Sequence, residues 1–325
     1  MKYVQLGRSG LTVSAICMGG NSWGAAGRRA WGALDAEGSR PFFRRALDLG
    51  ITFFDTADVY NFGESETIMG QELLPLVPRD DLVISTKIGI PMSAKPNHGG
   101  VGRKHLMSGI DAALKRLKTD YVDLLQVHRL DPHTPLVEVM RTLDDIVRSG
   151  KVRYIGGSTM PAYKFAQMVM IADHHGFARP IAMQNLYNLV QREEEREMLR
   201  LCAEEGVGAI PYSPLARGFL AGNRSREGGG ETERAKTDAG AKDLFRPCDF
   251  DVAERVVALA AAKGVKPTQI ALAWLLHKPA VAAPIIGATK VEQLDDAAGA
   301  TAISLGAEEI AALEAPYAFR PAPLN

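Results

Sequence analysis

Short apolar or β-branched runs alternate with longer stretches of helical period along nearly all of this 325-residue chain, and that rhythm leaves few folds open. The runs are Ser14 to Met18, Thr52 to Thr56, Leu82 to Thr86, Tyr121 to Val127, Val152 to Gly156, Ala182 to Leu186, Val207 to Tyr212 and Ala282 to Ile286. Between them lie amphipathic segments such as RKHLMSGIDAALKRL (Arg103 to Leu117), Pro135 to Arg148 and Glu193 to Glu205, apolar at spacings of three and four and charged on the opposite face. Gly50 and Gly150 stand where helices should stop, and Thr134 with Pro135 reads as an N-cap and first turn. Strand then helix, repeated eight times, predicts an α/β chain folded as one (β/α)8 barrel over residues 1–325. Ahead of it, Tyr3 to Val13 reads as a β-hairpin with Gly10 at its turn.

The competing architecture is a doubly wound open sheet. It would need a G-x-G-x-x-G turn directly after a strand, and the glycines of HGGVGRK, from His98, have neither that spacing nor a preceding strand. No linker divides the chain. The longest irregular segment, Ala221 to Asp249, follows the seventh strand and reads as a lid or binding strap, with a plain disordered loop as the alternative.

Charge and cysteine usage narrow the function. The 38 basic residues balance the 38 acidic ones, so the chain lacks the excess that would draw it to nucleic acid or an anionic membrane, and a small uncharged substrate fits better. Cys17, Cys202 and Cys248 form no C-x-x-C pair, which argues against a disulfide framework or zinc cluster and for a reducing cytoplasm. No segment reaches the roughly 18 apolar residues of a membrane span, and the N-terminus lacks a secretory pattern. Oligomeric state is not legible.

In a parallel barrel the C-terminal ends of all strands face one mouth. Those ends deliver Asp55 and then Tyr60, Lys87, His128, Ser158 with Thr159, Gln184 with Asn185, Tyr212 with Ser213, and Gly287. A phenol has an ordinary pKa of about 10, and a nearby ammonium favours its ionised form while a histidine within reach shares the proton. Lys87 would supply that ammonium, Asp55 its counter-ion, and His128 would orient an incoming oxygen, which makes Tyr60 a proton donor to a developing alkoxide. Singly each residue has a plainer reading as turn, packing or surface; Asp58 in particular reads as a turn former. His133, His174 and His175 lack metal-ligand spacing, so no metal site is expected.

At these residues the chain resembles the aldo-keto reductase family, through FFDTADVYNFGESE, ISTKIG, TDYVDLLQVHRLDPHTP, GKVRYIGGST, QNLYN, PYSPLARGFLAG and PIIGATKVEQLDDAAGA in that order. The resemblance implies that Asp55, Tyr60, Lys87 and His128 form a catalytic tetrad, and that an NADP cofactor lies across the mouth without a Rossmann domain. It implies that Ser158 and Gln184 hold the nicotinamide carboxamide, that Tyr212 stacks on the ring, and that Ser213, Leu215 and Gly218 wrap the pyrophosphate. Gly19, Gly20 and Asn21 would pass near the nicotinamide ribose, and Gly287, Thr289, Gln293 and Asp296 would meet the adenosine end, with Arg234 as a strap.

Two positions depart from the pattern. Ala297 stands where many relatives have Asn, which leaves NAD as an alternative to NADP, and S-T rather than S-N follows the fifth strand. Lys290, Arg224, Arg226 and Arg234 are the cations available to a 2′-phosphate, each equally readable as surface charge. Trp23, Trp31 and Phe62 follow the first two strands, where relatives line the substrate pocket, and would favour carbonyls with apolar or aromatic bodies; Trp31 reads equally as a loop anchor. The expected activity is reduction of an aldehyde or ketone to an alcohol, or the reverse. A nucleotide-binding regulatory subunit of a potassium channel is the alternative from another class, and a metal-dependent hydrolase the least supported one.

Overall fold

Side chains alternate across a strand, so a closed barrel sorts each strand into residues facing inward and residues facing the helices. The structure, a computed structural model, describes residues 1–24, 34–224, 226 and 245–320. An antiparallel hairpin, β1 (Tyr3–Gln5) and β2 (Thr12–Ser14), precedes eight parallel strands: β3 (Cys17–Gly19), β4 (Phe53–Asp55), β5 (Val83–Ile88), β6 (Val122–Val127), β7 (Val152–Ser158), β8 (Pro180–Gln184), β9 (Gly208–Ala209) and β10 (Ile285–Ile286). Each pairs in parallel with its neighbour, in the order β10-β3-β4-β5-β6-β7-β8-β9. The two ends of that order meet through bridges from Ala209 to Val281 and from Tyr212 to Ile285, which closes the barrel.

Cys17, Phe53, Val83, Leu124 and Ala182 share one apolar cluster inside the barrel, and their neighbours Met18, Phe54, Ile84, Leu125 and Met183 belong to a second cluster under the helices. The hairpin closes the lower end, since Leu6 and Val13 join the inner cluster with no exposure. Two residues further along the same strands, the inward positions are Asp55, Ser85, Gln126 and Gln184, all buried. The interior thus turns from apolar to polar on the way to the mouth.

The helix over Arg103–Leu117 and the strand order follow the sequence expectation, and Gly50 and Gly150 take left-handed backbone at the ends of their helices. The first, seventh and eighth barrel strands are shorter than expected, at Cys17–Gly19, Gly208–Ala209 and Ile285–Ile286, and three further local features differ. The hairpin loop places its left-handed residue at Gly7 rather than Gly10, because Gly7 lies against the chain at Gly206, where a Cβ would come within 2.2 Å of a carbonyl oxygen. The expected helix from Glu193 is broken into a short 3-10 turn (Glu193–Glu195) and a helix at Met198–Glu205. There the three carboxylates are drawn off to Tyr317, Asn185 and Tyr187. Thr134 does not cap its helix; the helix over Leu136–Arg148 begins behind Pro135, and the Thr134 hydroxyl donates to Asp131 instead. Most of the segment expected as a strap, including Arg234, lies outside the described residues, as does Trp31.

Candidate active site

Period-two alternation places Asp55 two residues above Phe53, Lys87 two above Ser85, and His128 two above Gln126, so three strand ends aim polar groups at one volume. Lys87 has no exposure and Asp55 is 2% exposed. The Lys87 ammonium donates to the Asp55 carboxylate and, at 2.7 Å, to the Thr56 carbonyl. It also lies 4.9 Å from the centre of the Tyr60 ring, and that tyrosine favours its charge. Burial opposes the Lys87 charge, but Asp55 and Tyr60 outweigh it, and the pKa moves up from the ordinary lysine value.

The Tyr60 ring meets the His128 imidazole edge-on, 5.9 Å between centres. Burial first, then the charges of Lys87 and Arg129, push His128 down to about 2, so the imidazole is neutral at any ordinary pH. Its Nδ1 is buried with no hydrogen-bond partner among the described residues. A neutral ring can donate one N–H to an oxygen beside Tyr60 without itself titrating.

Two buried amides extend this network. Gln184 donates to Asp55 at 3.0 Å, and so does Gln126 at 3.1 Å, while Gln126 also donates to Ser85 at 2.7 Å. Gln126 escaped the sequence reading, although its inward position in the strand between Leu124 and His128 is the signal that would have found it. Asp58 stands in the turn before Tyr60, as expected, but it is buried: it is 2% exposed, and burial with the neighbouring Glu66 raises its pKa to about 7. Glu66 is itself held by Thr86 at 2.5 Å and Arg116 at 2.6 Å.

Several of the other predicted positions lie at or just after strand ends. Ser158 is buried, 3.3 Å from the Arg129 guanidinium, and the Thr159 hydroxyl lies 3.4 Å from the Tyr212 hydroxyl. Asn185, beside Gln184, donates to Glu194 but keeps a buried, unpartnered carbonyl oxygen. Ser213 takes left-handed backbone and its carbonyl accepts from Asn188; the Leu215 carbonyl accepts from Gly218. At Gly218 and Gly287 a Cβ would meet nothing within 4 Å, so both border open space. Gly19 and Gly20 have another reason to be glycine, since a Cβ would come within 2.7 Å of Ile285 and Ser65 respectively. Asn21 is exposed. Gln293 accepts from the Thr289 and Lys290 amides, and Asp296 pairs with Lys266 at 2.8 Å. Trp23, expected on the pocket wall, is 1% exposed and packs edge-on against Phe43 at 4.5 Å, whereas Phe62 is 56% exposed. Arg226 is tied to Asp251 and Glu254. Among the described residues there is no group of His, Cys, Asp and Glu able to hold a metal, and no helix long and apolar enough to cross a membrane.

Six non-glycine residues near the mouth, Asn61, Phe62, Thr159, Ser213, Ala216 and Arg217, have φ between 43° and 59°. Each such residue stores roughly 1–3 kcal/mol of strain, a cost that tends to gather at working sites.

The profile of the Aldo/keto reductase family matches residues 15–318. The chain is 41% identical to versiconal hemiacetal acetate reductase of Aspergillus parasiticus, over 98% of this chain and 97% of that protein. It is 39% identical to aldo-keto reductase AMT2 of Alternaria alternata, over 98% and 92%, and 38% identical to aldo-keto reductase dtxS3 of Metarhizium robertsii, over 97% and 90%. A closed parallel barrel, a polar mouth and a match across almost the whole chain agree: this protein belongs to the aldo/keto reductase family of oxidoreductases.

Proposed function

We propose that the chain reduces an aldehyde or ketone with an apolar or aromatic body to its alcohol, with NADPH as reductant and Tyr60 as proton donor. The observation that carries this reading is the buried contact of Lys87 with both Asp55 and Tyr60, beside a neutral His128. The substrate oxygen would accept hydrogen bonds from the Tyr60 hydroxyl and the His128 imidazole. As negative charge develops there, Tyr60 gives up its proton, and the Lys87 ammonium stabilises the phenolate until it is reprotonated. Asp55 keeps that ammonium in place, and Gln126 and Gln184 keep Asp55 in place.

The described residues suit a nicotinamide dinucleotide. The unpartnered Asn185 oxygen and the Ser158 hydroxyl are an acceptor and a donor for a carboxamide, and the open backbone at Gly218 and Gly287 leaves room for an extended ligand. Ser158, Gln184 and Asn185 would hold the carboxamide, Tyr212 the ring, Ser213 to Gly218 the pyrophosphate, and Gly287 to Asp296 the adenosine. When bound, that group supplies the hydride. NADP rather than NAD rests on the family resemblance and on Lys290, next to Thr289 at the expected adenosine end. The free thiols of Cys17, Cys202 and Cys248 accord with a reducing cytoplasm.

The test is Tyr60→Phe. The variant is expected to bind NADPH as the wild type does, by quenching of intrinsic fluorescence, and to lose about 10²- to 10⁴-fold in kcat on an aromatic aldehyde. Near-normal turnover would refute the assignment. Tight nucleotide binding by the wild type without turnover of any aldehyde would fit the channel-subunit alternative, and a parallel titration with NADH decides the cofactor.

A further inference from the structure

We infer that Arg129 is a specificity-determining residue whose guanidinium takes a carboxylate on the substrate. The proposal rests on the carbonyl-reduction reading for the location of the substrate and adds the class of substrate: a carbonyl compound with an apolar or aromatic body that also bears an anionic group.

Arg129 directly follows His128 at the mouth and is half-buried. One terminal nitrogen, Nη1, donates to the His128 carbonyl at 2.5 Å and reaches Ser158 at 3.3 Å, which fixes the side chain across the mouth between the ends of β6 and β7. Among the described residues no carboxylate pairs with it. Several acids at this end of the barrel have partners of their own. Asp55 is held by Lys87, Glu66 by Arg116, and Glu194 by Asn185. Asp131, only two residues on, accepts from Val101, His133 and Thr134. A half-buried guanidinium without a counter-ion is costly, and its Nε and Nη2 edge matches the two oxygens of a carboxylate in a way that a lysine would not. Phe62, exposed beside Tyr60, offers apolar surface to the rest of such a molecule.

The probes are 4-formylbenzoate and its neutral methyl ester, assayed with the wild type and with Arg129→Met and Arg129→Lys. The wild type is expected to favour the carboxylate in kcat/KM, and the Met variant to lower the carboxylate-to-ester ratio by roughly tenfold to a hundredfold, the worth of a hydrogen-bonded charge pair. Lys should recover only part of it. Arg129→Gln, which keeps a planar polar end, replaces Met if that variant fails to fold. Calorimetry with 4-(hydroxymethyl)benzoate and NADPH reads the same contact without turnover, and its Kd is expected to rise at least roughly tenfold in the variant. An unchanged ratio and an unchanged Kd would overturn the proposal. So would weaker NADPH binding at an unchanged ratio, which would assign Arg129 to the nucleotide. Arg129-dependent binding of the carboxylate by a wild type that reduces no aldehyde would sustain the subsite and sink carbonyl reduction.

Discussion

At Asp58 a carboxyl group lies close to Glu66, Arg116 and Lys87, and neither of its oxygens has a hydrogen bond. The nearby Val59 amide favours the charge only weakly, without hydrogen-bond geometry, and burial dominates. Its pKa of about 7 stands well above the unfolded value of about 4. Both states are protonated below the lower value. Between the two the folded protein holds a proton that the unfolded chain has lost, so this contribution to stability falls as pH rises through that window and is gone above it. Asp58→Asn should therefore stabilise the fold at pH 8 by roughly 2 to 4 kcal/mol and remove the corresponding slope. Denaturant melts of both proteins from pH 4 to 8 check this, and a constant offset between the two curves would contradict it. The identity of Asp58 was legible in the sequence, but its burial was not: a D following T-A suits a turn as well as a core, and the facing Glu66 arrives from the next helix.

On the scale of elements, the hairpin is a plug. Leu6 and Val13 complete an apolar layer with Phe53 and Leu124 at the end of the barrel away from the polar mouth. Leu6→Ala should cost about 2–5 kcal/mol, as buried leucine truncations do. Since chemistry in this fold gathers at the opposite face, kcat at low temperature should change little while Tm falls. Parallel melts and rate assays separate the two effects. The strand ends were legible because period-two patterning is local, and so was the helix over Arg103–Leu117. The break after Glu195 was not, because Glu193 there answers to partners distant in the chain, Tyr317 and Arg320.

For the molecule as a whole, the barrel is unequally sewn. β5, β6 and β7 pair over long registers, whereas closure rests on two-residue strands and on the Ala282 and Ile285 amides, which donate to Ala209 and Pro211. Cooperative opening should begin at that seam. In native-state hydrogen exchange the amides of Ala282 and Ile285 should exchange at least roughly tenfold faster than those of Leu124 and Leu125; equal protection would show that the barrel opens only as one unit.

Local chemistry by itself determined the alternation of strand and helix, and hence a parallel barrel with a common mouth, because hydrophobic period and turn residues act over a few positions. It also marked Asp55, Tyr60, Lys87 and His128 as strand-end residues with a shared chemistry. Only the tertiary structure decided that Lys87 touches both Asp55 and Tyr60, that Gln126 braces the carboxylate, that Trp23 belongs to the core, and that Arg129 has no carboxylate partner among the described residues. Those are relations among side chains brought together from separate strands, and their energies arise from burial and proximity, which no single stretch of chain encodes.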